Sequence, residues 1–353
     1  MKSNTFKNII MISSVYVGTV LGAGFASGQE MMKFFAIYGY KGMFGLLLTG
    51  MLFSIIGYMV LKIVYTRKCN SYTEFMEIIV GNNWGRFLEM IVMLFMFICF
   101  CAMLAGGGAL FQQRFHIPYY YGVVFMAAGC FFTFLFDVKG VVAINTILAP
   151  VLLVGILLIG IYIWVFSGTT VGNMLPEALH LIRDNWISSS ILYVAYNSIT
   201  SIVVLCSLGY VLNKMVTVRM SAFIGGASLG LIGLILGLVV LIHYKEVIGL
   251  EIPLLGIVMK YSEFIQYIYI VVLVSAMFTT AVANGFGIIE RIKENSVILK
   301  KHPGAIKLGV VGTAIALSSV GFSTMVGSIY PLFGYAGIFE LVCIGIFFIQ
   351  NDK

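Results

Sequence analysis

The feature that most constrains this chain is its succession of long apolar segments joined by short polar ones. Of 353 residues, 61% are hydrophobic and 10% are charged, and the mean hydropathy is +1.05. Apolar runs of about eighteen residues or more are long enough to cross a ~30 Å hydrocarbon core as helices. Strands of an outer-membrane barrel would be about ten residues long and would alternate in polarity. The sequence therefore predicts an all-α polytopic membrane protein.

Ten membrane-spanning helices are predicted, arranged as two sets of five. They cover residues 8–37, 41–66, 84–112, 118–136, 140–167, 188–213, 218–243, 260–292, 304–322 and 326–349. Each span of the second set begins 176 to 186 residues after its counterpart in the first. Because five is odd, the second set enters the membrane from the opposite face. The pattern predicts a 5+5 inverted repeat, the plan of many secondary transporters, with halves 1–167 and 188–353 joined by an extracellular loop at 168–187.

The distribution of lysine and arginine predicts the orientation, since these residues are enriched in cytoplasmic loops. With both termini placed in the cytoplasm, all but six of the 21 lie on the inner side. The six on the outer side are Lys33, Lys41, Arg114, Arg183, Lys245 and Lys260. We therefore expect cytoplasmic N- and C-termini, and we do not interpret the net charge of +7 as a sign of nucleic-acid binding.

A glycine-rich stretch, Gly18–Glu30, lies in the middle of the first span. Four glycines within eleven residues disfavour a regular helix there. In a bilayer, backbone groups freed by a break must be buried in protein or face a polar cavity. One interpretation is a discontinuous helix that presents backbone groups to a ligand. The other is a close helix-packing surface made of small residues.

The sixth span carries a polar cluster at a comparable depth. Tyr196, Asn197, Ser198 and Thr200 lie near its middle, and polar groups at that depth need partners. If the two halves correspond, this helix is also discontinuous. The alternative is a polar seam between packed helices.

The motif Gly22-Ala23-Gly24-Phe25 resembles the break in the first helix of the amino acid–polyamine–organocation superfamily, which has the LeuT-like fold. The longer run from Gly18 to Glu30, with Met31-Met32-Lys33-Phe34-Phe35 after it, is similar to the YkvI family of bacterial membrane proteins. The resemblance implies a location in the bacterial cytoplasmic membrane and a secondary active transporter working by alternating access.

The resemblance also implies a solute site and an ion site. The carboxylate of an amino-acid-like solute would bind the backbone of Gly22, Ala23 and Gly24 beside Phe25, as anions bind at helix N-termini. The facing wall would comprise Tyr196, Asn197, Ser198 and Thr200. In sodium-coupled relatives, hydroxyl groups of the eighth helix and carbonyls before the break hold the ion. Here these would be Thr279 and Thr280 with Gly18 and Leu21, oxygen ligands that suit a hard cation. Threonines that bond back to their own helix are the alternative.

Two acidic side chains within the spans are candidates for coupling. Glu340 lies about fourteen residues into the last span, and Glu30 lies in the outer half of the first. A charge at the bilayer centre costs on the order of 2.5–3.5 kcal/mol on insertion scales. Each is therefore a candidate proton or cation carrier. The alternatives are a buried hydrogen bond for Glu340 and an ion pair between Glu30 and Lys33, which lie three residues apart.

The sequence carries no sign of catalysis. No phosphate-binding loop, catalytic triad, zinc motif or cofactor motif is present, so we do not expect an enzyme or a nucleotide-driven pump. The predicted function is secondary transport of a small zwitterionic or carboxylate solute, coupled to sodium or protons. No cofactor is expected apart from a sodium ion in the sodium-coupled case. The alternative is a membrane sensor or receptor subunit that uses the same fold without net transport.

Overall fold

The computed structural model describes residues 2–69, 71–136, 154–155, 157–163, 165, 185–261, 263–295 and 303–351, and within them it contains helices and no strands. The helices are α1 Lys2–Val20, α2 Ala23–Ala26, α3 Gln29–Phe34, α4 Tyr40–Arg67, α5 Tyr72–Val80, α6 Asn82–Phe115, α7 Tyr119–Leu135, α8 Trp186–Ser207, α9 Met215–Ile242, α10 Tyr244–Val247, α11 Pro253–Val258, α12 Glu263–Asn295, α13 Pro303–Leu317 and α14 Phe322–Asn351. Six of these are long and apolar enough to span a membrane: α4, α6, α8, α9, α12 and α14.

Parts of the predicted topology lie outside the described residues. The span predicted at 140–167 is described only at residues 154–155, 157–163 and 165, which are helical. The extracellular loop predicted at 168–187 is described only from residue 185 onward. The number of spans and the inverted repeat therefore remain predictions.

The first predicted span consists of three helical pieces. α1 ends at Val20, and Gly22 has an extended backbone with φ −83° and ψ −171° before α2 begins. A second interruption follows at Ser27 and Gly28, where Gly28 has a left-handed φ of 79°. A Cβ atom at position 28 would lie 2.7 Å from the Leu254 side chain. Glycine is thus required at this turn by both its conformation and its packing.

The scaffold beside these pieces is a close pair of helices, α4 and α9. A Cβ added to Gly50 would lie 2.9 Å from the Cα of Gly230. A Cβ added to Gly226 would collide with the backbone nitrogen of Ser54. Without a hydrophobic driving force between helices in lipid, small residues stabilise such pairs by letting the backbones approach. The glycine-mediated packing considered for the first span is therefore found between α4 and α9.

The sixth span is one continuous helix, contrary to the predicted break. α8 runs from Trp186 to Ser207 without interruption. The Asn197 amide donates to the Tyr193 carbonyl at 3.0 Å, and the Ser198 hydroxyl donates to the Val194 carbonyl at 2.7 Å. The Thr200 hydroxyl donates to the Asn197 carbonyl at 3.2 Å. The prediction is wrong because these polar groups find partners one turn back along their own helix and need no opening of the backbone.

The connection between α9 and α12 folds over the broken first span. We call residues 244–258, which include α10 and α11, the outer cap, after the side of the membrane on which the predicted topology would put this connection. The Leu254 N–H donates to the Ser27 carbonyl at 2.9 Å. The Gln29 amide donates to the carbonyls of Leu250 and Glu251 at 3.4 and 3.3 Å. The outer cap is thus hydrogen-bonded directly to the turn between α2 and α3.

Two further side chains join the outer cap to α6 and α14. The Gln113 amide, on α6, donates to the Ile252 carbonyl at 3.0 Å and accepts from the Ile252 N–H at 3.1 Å. The Glu251 carboxylate accepts from the Ser323 N–H at the start of α14 at 2.6 Å. Elsewhere in the cap, hydrogen bonds from Lys260 and His243 lower the pKa of the exposed Glu246 carboxyl. The hydrogen bonds of Gln113 and Glu251 therefore hold the outer cap against α6 and α14.

We expect the Gln113→Leu variant to open the outer cap. Leucine keeps the size of the side chain and removes two hydrogen bonds to Ile252, each worth about 0.5–1.5 kcal/mol. In a background that contains a single introduced cysteine, Ser27→Cys, labelling by an impermeant maleimide should rise several-fold. Glu246→Gln is the matched control, because the partners of Glu246 within the described part of the chain are His243 and Lys260, at the edge of the cap. If the Ser27→Cys protein is labelled equally with glutamine or with leucine at position 113, these bonds do not hold the cap.

Candidate functional site

The backbone around Leu21 and Gly22 is left with unused hydrogen-bonding groups. The Leu21 N–H donates to Val17 and the Gly22 N–H to Val20, both at 2.8 Å. The next helical bond runs from the Ala26 N–H to the Gly22 carbonyl at 3.0 Å. Between the described residues, no hydrogen bond uses the N–H groups of residues 23–25 or the carbonyls of Gly18 and Leu21.

Most of these unused groups lie inside the protein, and Gly18 is the exception because it is exposed. Leu21 is 1% exposed, and all four residues of α2 are buried. An unpaired backbone group away from water costs as much as a lost hydrogen bond, so such groups are normally paired with something. Donors on one side of the break and acceptors on the other make it suited to bind a polar solute and a cation. The predicted solute-binding backbone of Gly22, Ala23 and Gly24, with Phe25, lies at this position.

α2 is held in place by a tyrosine that the sequence analysis did not single out. The Tyr269 hydroxyl, on α12, donates to the Ala26 carbonyl at 2.9 Å, and Tyr269 is 2% exposed. The Ser27 hydroxyl donates to the Gly24 carbonyl at 2.9 Å. The carbonyl end of this short helix is thus satisfied by side chains, whereas its N–H end is not.

The two predicted ion-binding threonines differ in where their hydroxyl groups lie. The Thr279 hydroxyl donates to the carbonyls of Ser275 and Ala276, at 2.9 and 3.2 Å, as expected for a threonine that bonds to its own helix. The Thr280 hydroxyl oxygen faces the break, 3.6 Å from where a Cβ of Gly22 would lie. Thr280, with the carbonyls of Gly18 and Leu21, is thus the better placed of the two for the predicted ion site.

Of the predicted wall on α8, one side chain is left without a partner. Tyr196 is 2% exposed and its hydroxyl has no hydrogen-bond partner among the described residues. The polar groups of Asn197, Ser198 and Thr200 are used within α8, and none of their hydrogen bonds reaches the break. α8 contacts the first span through the rings of Tyr193 and Tyr196 and through Ser189, whose hydroxyl donates to the Phe34 carbonyl at 2.8 Å.

Glu30 folds back toward the break. The residue is 4% exposed, and a Cβ on Gly24 would collide with its carboxylate oxygen Oε1. The Tyr193 hydroxyl donates to the other oxygen, Oε2, at 3.0 Å. The alternative ion pair with Lys33 is absent between these two described residues, and the Lys33 stem instead lies about 3.1 Å from where a Cβ on Gly327 would be. Glu30 is thus part of the site at the broken helix.

Aromatic rings from four helices pack against one another beside this carboxylate, and Tyr193 contacts it directly. The Phe34 ring lies 5.4 Å from both Tyr193 and Tyr196, centroid to centroid. The Tyr196 ring lies 5.5 Å from Tyr330 and 6.1 Å from Phe95. We call these five rings the aromatic cluster: Phe34, Phe95, Tyr193, Tyr196 and Tyr330. Only Tyr196 among them was predicted, because residues on separate spans carry no signal in sequence that they meet.

Glu340 lies in a different part of the protein from Glu30. It is 2% exposed, lies beside the Tyr72 hydroxyl, and its Oε1 has no hydrogen-bond partner among the described residues. Glu340 neighbours the Cys206 end of α8, whereas Glu30 neighbours Tyr193. Thirteen helical residues separate these positions, about 20 Å at 1.5 Å per residue. The two buried carboxylates are therefore separate.

Comparisons with known proteins were made at the level of sequence and of structure. No family model matches the chain. It is 26% identical over 327 residues to the uncharacterized membrane protein YkvI of Bacillus subtilis (strain 168), which covers 93% of this chain and 92% of that protein. The resemblance to YkvI is thereby confirmed.

Two solved structures show the fold. A substrate-bound, outward-open Na⁺-coupled sialic acid symporter superposes with a TM-score of 0.61 at 14% identity, covering 92% of this chain and 76% of that one. The inward-facing conformation of Mhp1 gives 0.56 at 13% identity, covering 96% and 75%. The chain therefore has the LeuT-like all-α membrane fold predicted from its sequence.

Proposed function

We propose that this protein is a secondary active transporter of a small amino-acid-like solute, working by alternating access in the bacterial cytoplasmic membrane. The observation that carries the proposal is the break at Leu21 and Gly22, largely buried within a LeuT-like fold, with unused C=O groups before it and unused N–H groups after it. A ligand that supplies acceptors to the N–H groups and a cation to the carbonyls would satisfy both sets.

The proposed topology follows the same plan. Residues 1–167 and 188–353 form the two inverted halves, with both termini in the cytoplasm. The solute's acceptor group binds residues 22–24, and the rings of Phe25 and Tyr196 line its path. In this proposed topology the outer cap would close the outer side, and exchange with that side would require release of the Leu254 N–H from the Ser27 carbonyl.

The proposal is tested by ligand-dependent thermal stability of the purified full-length protein. The panel contains amino acids and small carboxylates, each tested in sodium chloride and in potassium chloride. A ligand at 100 times its Kd should stabilise the folded state by about 2.7 kcal/mol. Stabilisation that requires sodium supports an ion site at Gly18, Leu21 and Thr280. If no member of the panel stabilises the protein, the amino-acid-like solute is contradicted.

Coupling to protons would use Glu340. We expect Glu340→Gln, which has nearly the same shape and cannot ionise, to abolish the pH dependence of uptake into proteoliposomes while uptake itself persists. Glu290→Gln is the control, because Glu290 is partly exposed and pairs with Lys293 at 2.7 Å near the end of α12. Uptake by Glu340→Gln that keeps the pH dependence of the unmodified protein would exclude Glu340 as the carrier and favour sodium.

A further inference from the structure

Glu30 is a buried carboxylate that no cationic side chain neutralises. Among the described residues, no ion pair includes Glu30, and the titratable groups that face it are all uncharged when buried: Tyr193 and Tyr196 on α8, Cys99 on α6 and Tyr330 on α14. The nearest cation in sequence, Lys33, is directed at Gly327. Glu30 is therefore neutralised either by a proton or by a cation that the described chain does not supply.

Burying an isolated carboxylate costs far more than burying a paired one. Only one hydrogen bond within the described residues, from the Tyr193 hydroxyl to Oε2, offsets the loss of water. No donor with hydrogen-bond geometry reaches Oε1 within the described part of the chain, and the buried Tyr196 hydroxyl beside the carboxylate also has no partner there. The Tyr196 hydroxyl thus lies beside the carboxylate without meeting hydrogen-bond geometry.

The surrounding rings favour a positive charge. The faces of tyrosine and phenylalanine rings attract cations, and clusters of such rings are a known means of recognising alkylammonium groups. The five rings of the aromatic cluster pack with neighbouring centroids 5.4 to 6.1 Å apart, and three of them, Tyr193, Tyr196 and Tyr330, neighbour Glu30. A carboxylate together with aromatic rings suits an organic ammonium ion better than a small metal ion, which requires several oxygen ligands.

We propose that Glu30 and the aromatic cluster bind the ammonium group of the transported solute, so that the solute is an amine or a zwitterion and not a simple carboxylate. This inference rests on the proposed function and narrows its solute class. Because Oε1 lies against Gly24, the ammonium site adjoins the backbone of the break. A solute that carries an amino group close to an acceptor group would contact both the ammonium site and the backbone of the break.

The test is binding to the purified full-length protein, measured by thermal stability and by calorimetry. The probes are alanine, glycine betaine and tetramethylammonium, compared with propionate and with sodium chloride alone. We expect at least one ammonium-bearing probe to bind at least tenfold more tightly than propionate. Glu30→Gln should weaken that binding at least tenfold, and Glu290→Gln, which changes a carboxylate paired with Lys293, should not.

Further variants separate a binding role from a role in folding. Tyr193→Phe removes the hydrogen bond to Oε2 and keeps the ring, so ammonium binding should weaken several-fold with no change in the melting temperature of the free protein. Glu30→Asp keeps the charge and withdraws it from Gly24, and should retain part of the binding lost in Glu30→Gln. These variants keep the inference testable even if Glu30→Gln does not fold.

The outcomes distinguish this inference from the proposed function. Glu30-dependent ammonium binding without flux would support the inference and contradict transport. Transport of a solute whose binding is unaffected by Glu30→Gln would support transport and contradict the inference. Equal binding of propionate and the ammonium probes would overturn the inference. So would a protein that responds only to sodium or to acidification, since Glu30 would then bind a metal ion or a proton.

Discussion

Replacing Gly24 by alanine should abolish solute binding while leaving the protein folded. The added Cβ would occupy the space of the Glu30 carboxylate, which is the free end of a flexible side chain and can be displaced at little cost to folding. Displacement withdraws the carboxylate from the site and crowds the backbone of α2. We expect a loss of affinity of at least a hundredfold, about 2.8 kcal/mol, measured as lost ligand-dependent stabilisation.

Gly18→Ala is the matched control for this experiment. It adds the same Cβ to the same span, four residues before Gly22, where no atom lies within 4 Å of the new group. Its binding should be close to that of the unmodified protein. If Gly24→Ala instead misfolds, or if it binds normally, the glycines of this stretch serve helix packing, and the interpretation of the break as a binding site is wrong.

Gly226→Val should cause the largest loss of stability among substitutions remote from the site. The new side chain would collide with the backbone of Ser54 on α4, and backbone cannot rotate away as a side chain can. Overpacking typically costs 1–3 kcal/mol, and here the two helices must separate to relieve it. We expect a loss of about 3 kcal/mol, seen as a melting temperature lower by several degrees.

Gly312→Val is the control for the packing experiment. Gly312 is an exposed helical glycine, and no atom lies within 4 Å of the place that a Cβ would take, so valine there meets open space. Its melting temperature should stay within about 1 °C, since surface substitutions are usually within ±0.5 kcal/mol. Equal stability of the two variants would show that the close approach of α4 and α9 is not required for folding.

Much of the fold could be predicted from the sequence because lipid imposes simple rules. Long apolar runs predict spanning helices, and the comparisons confirm the LeuT-like all-α membrane class. The density of glycine between Gly18 and Gly28 drew attention to the stretch where α1 ends and α2 begins. The same reasoning failed at Asn197, because a polar residue in a span shows only that a partner exists. It does not show that the partner is the carbonyl one turn back.

The candidate site was harder to predict because its side chains converge from distant parts of the sequence. Glu30 was recognised as a costly charge, yet nothing in the spacing shows that it folds back onto Gly24. Tyr193 and Tyr269 carry no motif, and their roles appear only when α8 and α12 are packed against the first span. Backbone-based features were therefore more accessible to sequence analysis than features that depend on tertiary contacts.

The most direct test of the central claim is solute counterflow in proteoliposomes. Vesicles containing the full-length protein are loaded with an unlabelled solute found by the stability panel and diluted into the same solute carrying a radiolabel. We predict transient accumulation of label above equilibrium, absent in Gly24→Ala and present in Gly18→Ala. Binding of the solute without any exchange of label would contradict the account and identify the protein as a receptor.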